Sequence, residues 1–147
     1  MSPAPAARRA HRMPFGAEVR EDGTTRFRLW APGARQVELW LEEPGRAVAM
    51  PRDMGGWAEH VTREAPAGTR YRYRIDSELL VPDPAARFQP GDVHGASLVV
   101  DPLAHAWTDT AWIGLPPERL VFYELHVGAF TPAGTYAGVA ERLDHLV

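Results

Sequence analysis

The sequence predicts a mainly β protein, an immunoglobulin-like β-sandwich over residues 14–104, followed by one strand–loop–helix unit over residues 121–147. Three observations predict it. Short segments with period-two alternation of apolar and polar side chains recur between Thr24 and Asp76. Turn signals separate them at a spacing near ten residues, as in antiparallel sandwiches: Asp22-Gly23, Ala31-Pro32-Gly33, Pro44-Gly45, Gly55-Gly56 and Pro66-Ala67-Gly68. Near the C-terminus the period changes to a helical one, with Val139, Leu143, Leu146 and Val147 forming an i, i+4, i+7, i+8 stripe.

The elements follow in order. In TTRFRLWAP, Phe27 and Leu29 point one way and Arg26 and Arg28 the other. QVELWLEE sets Val37, Leu39 and Leu41 against Gln36, Glu38 and Glu42. RAVAMP aligns Val48 with Met50, and WAEHVT puts Trp57 and Val61 together on its apolar side. GTRYRYRID alternates Tyr71, Tyr73 and Ile75 with arginines. One apolar face per strand suits two sheets over a shared core, with the two tyrosine hydroxyls reaching its edge. Four prolines between residues 82 and 102 exclude a helix there, so a crossing loop ends in one strand, Ser97 to Val100. Residues 105–120 read as a linker carrying Trp107 and Trp112. VFYELHVG reads as a buried strand, and a helix over GVAERLDHLV follows, with Thr135 as N-cap. Such a strand needs parallel neighbours, and the chain offers none.

Composition narrows the function classes. The 147 residues are 45% hydrophobic, enough for one core. A net charge of −3 gives no reason to expect nucleic acid or an anionic membrane. The absence of Cys excludes disulfides, thiolate nucleophiles and Cys-ligated zinc. The six His are not paired at ligand spacing, so no metal and no cofactor is expected. All sixteen basic residues are Arg, which the coding bias of a GC-rich gene explains; an anion site would need them gathered on one face. No apolar run approaches the ~20 residues of a membrane span. MSPAPAARRAHR has no apolar stretch of a secretory signal and reads as a disordered tail over residues 1–13, so a cytoplasmic location is expected.

Candidate site residues are few. Trp30 opposes Phe27 and Leu29, and Trp40 falls on the polar face of its strand. With Trp57 they are candidates for an exposed aromatic patch that binds glucan or docks another domain. Trp107 and Trp112 either stack on sugar rings or fill a domain joint. Asp83, Arg87 and Asp101 fit turn capping and an Arg salt bridge across that joint. Glu124 and His126 share a face of the late strand, with His126 nearer its C-terminal end.

Several segments together resemble the front end of the α-amylase superfamily, glycoside hydrolase family 13. They are FGAEV (15–19), FRLWAP (27–32), GTRYRYRID (68–76), PDPAARFQP (82–90), VHGAS (93–97) and YELHVGAFTPAGTYAG (123–138). Within it the PDPAARFQP, VHG and YELHVG…FTPAGT segments resemble the malto-oligosyltrehalose trehalohydrolase family. Three sites depart from that pattern: the pair Gly91-Asp92, Ala96 and Ala133. The resemblance implies a glycosidase of trehalose biosynthesis that cuts the α-1,4 bond beside the trehalose end of a maltooligosyltrehalose. It makes residues 121–147 the first β/α unit of a truncated TIM barrel. It implies two catalytic carboxylates, about 5 Å apart for retention, on later barrel strands beyond Val147. No catalytic residue is therefore expected among these residues, the chain alone is expected to be inactive, and His126 is the one substrate-proximal candidate. The expected partners are maltooligosyltrehalose or α-glucan through the barrel, and the barrel itself as docking surface for the sandwich. Alternatives are a glycogen branching or debranching enzyme, a non-catalytic glucan-binding module, and a truncated product without function.

Overall fold

A computed structural model describes residues 13–109 and 111–146, which divide into two compact units at Thr108/Asp109. The expected tail, Met13 apart, lies outside the described residues.

The described residues of the first unit carry eight strands: β1 (Gly16–Val19), β2 (Thr25–Trp30), β3 (Val37–Leu41), β4 (Arg46–Ala49), β5 (Trp57–Thr62), β6 (Arg70–Ile75), β7 (Leu79–Val81) and β8 (Ser97–Leu98). They form two antiparallel sheets, one ordered β1-β2-β5 and the other β4-β3-β6-β7, with β8 pairing the start of β6. The alternation sets which face is buried. Thr25, Phe27 and Leu29 of β2 face Val37, Leu39, Leu41, Tyr71 and Tyr73 of the other sheet, and all are buried. Phe27 meets Tyr71 edge-on at 4.8 Å between centroids, a contact that joins the two sheets. Each large side chain so buried contributes about 1.5–3 kcal/mol of hydrophobic stabilisation.

Strand β5 reverses the expected face. Ala58 is fully buried opposite Leu29, and half-buried His60 lies opposite Phe27. Trp57 and Val61 take the outer face, with Val61 40% exposed. Register decides this: pairing with β2 brings Trp57 opposite outward Trp30, so the small Ala58 fills the core. Strand β8 is shorter than expected, ending at Leu98, although the amide of Val99 still donates to the Thr69 carbonyl at 2.9 Å. Strands β1 and β7 were not signalled by alternation; β7 follows β6 through a turn with Asp76 and Ser77 at positive φ.

The second unit differs from the expected strand and helix. Residues 121–126 form no strand, and α1 (Val127–Phe130) follows them. A lone strand has no partner for its backbone hydrogen bonds, so nothing holds it extended. Helix α2 (Tyr136–Ala140) is shorter than the predicted one and gives way to a 3-10 turn at Leu143–His145. Its N-cap is the expected one, since Thr135 Oγ1 accepts from the Gly138 amide at 3.1 Å. The stripe beyond it is uncovered, with Leu143 51% exposed, and a short helix without packing is marginal. Val147 lies outside the described residues.

Candidate functional site

The PDP segment builds a buried polar centre. Asp83, 3% exposed, sits between the sheets. Its Oδ2 accepts from the Tyr71 hydroxyl at 2.6 Å and the Tyr73 hydroxyl at 3.3 Å. Its Oδ1 accepts from the Ala85 amide at 2.8 Å, and its own amide donates to Ser97 Oγ at 2.9 Å. Burial, and then the Asp83 charge, push both phenols well above their ordinary value. Both tyrosines are therefore neutral donors and Asp83 is the acceptor that allows their burial. The hydroxyls do not end at the core's edge, as expected, but inside it. This centre ties β6, β8 and the DP loop together and offers no open face for chemistry.

The other loop residues are structural as well. Arg87 donates to the Ala17 carbonyl of β1 at 2.5 Å, within the sandwich. Asp101 accepts from the Leu103 amide at 2.9 Å and caps a turn.

The three sandwich tryptophans do not form one patch. Trp40 lies on the outer face of the β4-β3-β6-β7 sheet, with the Arg74 guanidinium 5.6 Å from its ring centre. Around it, Arg74 holds Glu38 in a bidentate pair at 2.7 and 2.9 Å, and Arg72 holds Glu42 at 2.8 Å. The Arg74 pairing, with its hydrogen bonds first, holds the Glu38 carboxyl below its ordinary value. The arginines do gather here, but Arg72 and Arg74 are already paired with carboxylates.

Trp30 and Trp57 are cross-strand neighbours on the outer face of the other sheet. Trp30 is 59% exposed, and its indole N–H donates to the Gly55 carbonyl at 3.0 Å, which fixes the ring. Asp53 Oδ1 accepts from the amides of Gly55 (2.8 Å) and Trp57 (2.9 Å), locking the turn that presents Trp57. Gly56, at φ +84°, packs beneath Pro32, where a Cβ would come within 2.8 Å of its carbon atoms. Phe15 stacks near-parallel to Trp57 at 6.3 Å and 12°, and the Arg28 guanidinium lies 4.4 Å from the Trp57 ring centre. Phe15, Arg28, Trp30, Trp57, Pro84 and Ala85 line a mostly apolar cleft of about 260 Å³. A second cleft of about 400 Å³ shares Arg28 and Trp57 as a wall and adds Arg52, Asp53 and Glu59. Sequence reasoning missed Phe15, Arg28 and Asp53; the Asp-x-Gly-Gly-Trp run was the available signal.

Trp107, 63% exposed, meets His105 edge-on at 4.6 Å, and Trp112 is 57% exposed. Glu124 and His126 are both exposed, and no strand aligns them; the His126 carbonyl instead caps α1, accepting from Ala129 (2.9 Å) and Phe130 (3.0 Å). Among the described residues no cluster of three His, Asp or Glu side chains offers a metal site, and no helix is long and apolar enough to cross a membrane.

Known proteins fit this architecture. The chain is 42% identical over 134 residues to a malto-oligosyltrehalose trehalohydrolase of Saccharolobus solfataricus, covering 91% of this chain and 23% of that protein. It is 34% identical over 121 residues to a 1,4-alpha-glucan branching enzyme of Xanthomonas euvesicatoria pv. vesicatoria, covering 74% of this chain and 16% of that one. A crystal structure from Salmonella typhimurium, described as of alpha-amylase type, superposes with TM-score 0.82 at 38% identity, covering 92% of this chain and 23% of that one. The chain spans about a fifth of the length of the curated relatives it matches. The model of carbohydrate-binding module 48, the isoamylase N-terminal domain, matches residues 14–104, and the chain belongs to that family.

Proposed function

We propose that these residues are the N-terminal part of a trehalose-releasing glycoside hydrolase. The enzyme cleaves the α-1,4-glucosidic bond beside the trehalose end of a maltooligosyltrehalose. The observation that carries this reading is the 42% identity to a malto-oligosyltrehalose trehalohydrolase, which extends over 91% of the chain. The weaker likeness to a branching enzyme supports a second reading, in which the same sandwich serves glucan branching.

Retaining hydrolysis needs a nucleophilic carboxylate and an acid/base carboxylate about 5 Å apart. Neither role falls to a residue of the sandwich: of its two buried carboxylates, Asp83 is engaged by Tyr71, Tyr73 and Ala85, and Glu38 by Arg74. The pair belongs to barrel strands in a longer polypeptide, where parallel neighbours would hold residues 121–126 as strand one and bring His126 toward the sugar cleft. The sandwich braces that barrel. The 147-residue chain by itself hydrolyses nothing, and the enzyme works in the cytoplasm.

The test is expression of the longer reading frame and assay with maltotriosyltrehalose. Free trehalose as product supports the reading; new α-1,6 branches on amylose, with no trehalose, would replace it by the branching one. Trehalose release by the 147-residue chain above a buffer control would overturn the assignment of catalysis to later residues.

A further inference from the structure

We propose that the β4–β5 side of the sandwich is an acid-sensitive seam: uptake of a proton by His60 parts the two edge strands at their Arg46–Glu64 end. Strands β4 and β5 are each at the edge of their sheet, and the chain passes directly from one to the other. The Met50 amide still donates to the Val37 carbonyl of β3 at 2.9 Å. One residue later the Pro51 carbonyl accepts from the Glu59 amide of β5 at 3.0 Å, and Arg52 bridges to Ala58. Backbone therefore closes one end of this side. The other end is closed by a side-chain contact, the ion pair of Arg46 at the start of β4 with Glu64 just beyond β5. Opening the first end breaks sheet hydrogen bonds, whereas an exposed ion pair such as the second contributes little.

His60 belongs to β5, between the two closures. Its β2 partner is the fully buried Phe27, and Ala58 shares its face of the strand, so the half-buried imidazole lies at the rim of the core. Arg46, opposite Leu41 in register, stands at the same rim. The inward residues of the facing sheet, Val37, Leu39, Leu41, Tyr71 and Tyr73, bring no charge, and Asp83 is engaged by the two tyrosines. Burial, and then the Arg46 charge, hold the imidazole below its ordinary value. The other charges of these strands already have partners. Glu64 pairs with Arg46, Glu59 with Arg28 and Glu18 with Arg26. Arg52 donates to the Ala31 and Ala34 carbonyls, and Asp53 accepts from the Gly55 and Trp57 amides. A proton on His60 thus adds a second cation near Arg46 while Glu64 is taken. The new charge reaches water where side chains alone close the seam.

The experiment takes the full 147-residue chain from about pH 7.5 to about pH 5, across the ordinary histidine value. NMR follows the His60 ring C–H signal, and backbone amide exchange, corrected for its intrinsic pH dependence, follows strand opening. The His60 midpoint should lie below about 6.5. The folded midpoint is then below the unfolded one, so the closed seam is fully stable above about pH 6.5 and loses stability as pH falls from there to the folded midpoint. Amides of β4 and of the Thr62 end of β5 should exchange faster than those of β3 and β6 at every pH, which marks an opening short of global unfolding. Acidification should speed them by about three- to tenfold, since a half-buried imidazole keeps part of its hydration. His60→Gln, neutral throughout, should abolish that rise, with its dispersed spectrum confirming the fold. Glu64→Gln, which leaves Arg46 unpaired, should speed the same amides a few-fold already at about pH 7.5. A His60 midpoint at or above the ordinary value overturns the proposal. So does an equal acid rise in His60→Gln, or exchange of β4 and β5 at the rates of β3 and β6. The outcome is independent of the trehalose assay, because it reads the sandwich alone.

Discussion

Replacing Asp83 tests what holds the two sheets to the DP loop. Asp83→Ala removes the acceptor of three donors: the Tyr71 hydroxyl at 2.6 Å, the Tyr73 hydroxyl at 3.3 Å and the Ala85 amide at 2.8 Å. The tyrosines are 1% and 0% exposed, so water cannot replace the carboxylate without opening the core. A buried donor left unsatisfied costs about 1–3 kcal/mol. A full loss at Tyr71 and a partial one at the longer Tyr73 contact sum to about 2–5 kcal/mol. For a domain of this size that is a fall in Tm on the order of 10–30 °C. Tyr71→Phe removes one donor and leaves the carboxylate two others, so its cost is smaller, about 1–2 kcal/mol. The assay is urea unfolding followed by tryptophan fluorescence, with an unchanged m-value required before stabilities are compared. The Asp83→Ala/Tyr71→Phe double mutant should show a coupling of about 0.5–3 kcal/mol. An Asp83→Ala variant within about 0.5 kcal/mol of the parent would refute the reasoning, since that is the range of surface substitutions.

Four further outcomes are expected. Because the folded state holds Tyr71 and Tyr73 above their ordinary value, their contribution is complete below about pH 10 and is lost as pH rises beyond it. The folding constant should therefore fall up to tenfold per pH unit for each, and Tyr71→Phe should flatten the slope in unfolding curves taken from pH 9 to about 11. Glu38 is the opposite case: its value is lowered by Arg74, so its contribution is present above the ordinary carboxylate range and disappears as pH falls through the folded value. Glu38→Gln should make the acid limb of the stability profile shallower. Gly56→Ala should cost about 2–4 kcal/mol, from the positive φ and the contact with Pro32, whereas Gly33→Ala, with open space around it, should be neutral to slightly stabilising in the same melts. Phe122 is 88% exposed beside Val121 at 94%; Phe122→Asp should lower dye binding and self-association by light scattering without moving the sandwich Tm.

Much of the sandwich was legible because β2, β3 and β6 alternate strictly between turn residues. In each, the residues read as inward line the core, Ile75 only in part, and the one departure on the other side is Glu38, read as outward and buried under its pair with Arg74. Strand β5 defeated the same logic. Hydropathy weights Trp57 and Val61 far above Ala58, but the face is set by which β2 residue lies opposite, and that register is not written within β5. Asp83 was legible as a turn residue and not as the tyrosines' acceptor, since its partners are ten and twelve residues away and meet it only after the sheet forms. The strand read over VFYELHVG, residues 121–128, carries the right residue types, but a parallel strand is defined by neighbours; no described residue pairs with it, and its last two residues open α1. Trp30 and Trp40 were rightly placed on outward faces; that they belong to different sheets, with Trp57 joining only Trp30, required the topology.

Charge pairing then decides which outward aromatic is available. Both sheets carry alternating arginine and carboxylate on their solvent faces, a pattern that keeps an exposed sheet soluble. On the β3–β6 face the pairs are tight, Arg74 with Glu38 and Arg72 with Glu42, and the guanidinium that reaches Trp40 is already bound. On the β2–β5 face Arg26 and Glu18 close at 2.9 Å, but Arg28 and Glu59 stop at 3.6 Å, beside the two indoles. The loosest of these four ion pairs is therefore the one next to the most exposed sandwich tryptophan. Glu59→Asp widens this gap further, and because the pair is already loose and partly exposed the change should cost no more than about 0.5 kcal/mol in urea unfolding; a larger loss would show that Glu59 holds the sheet in another way.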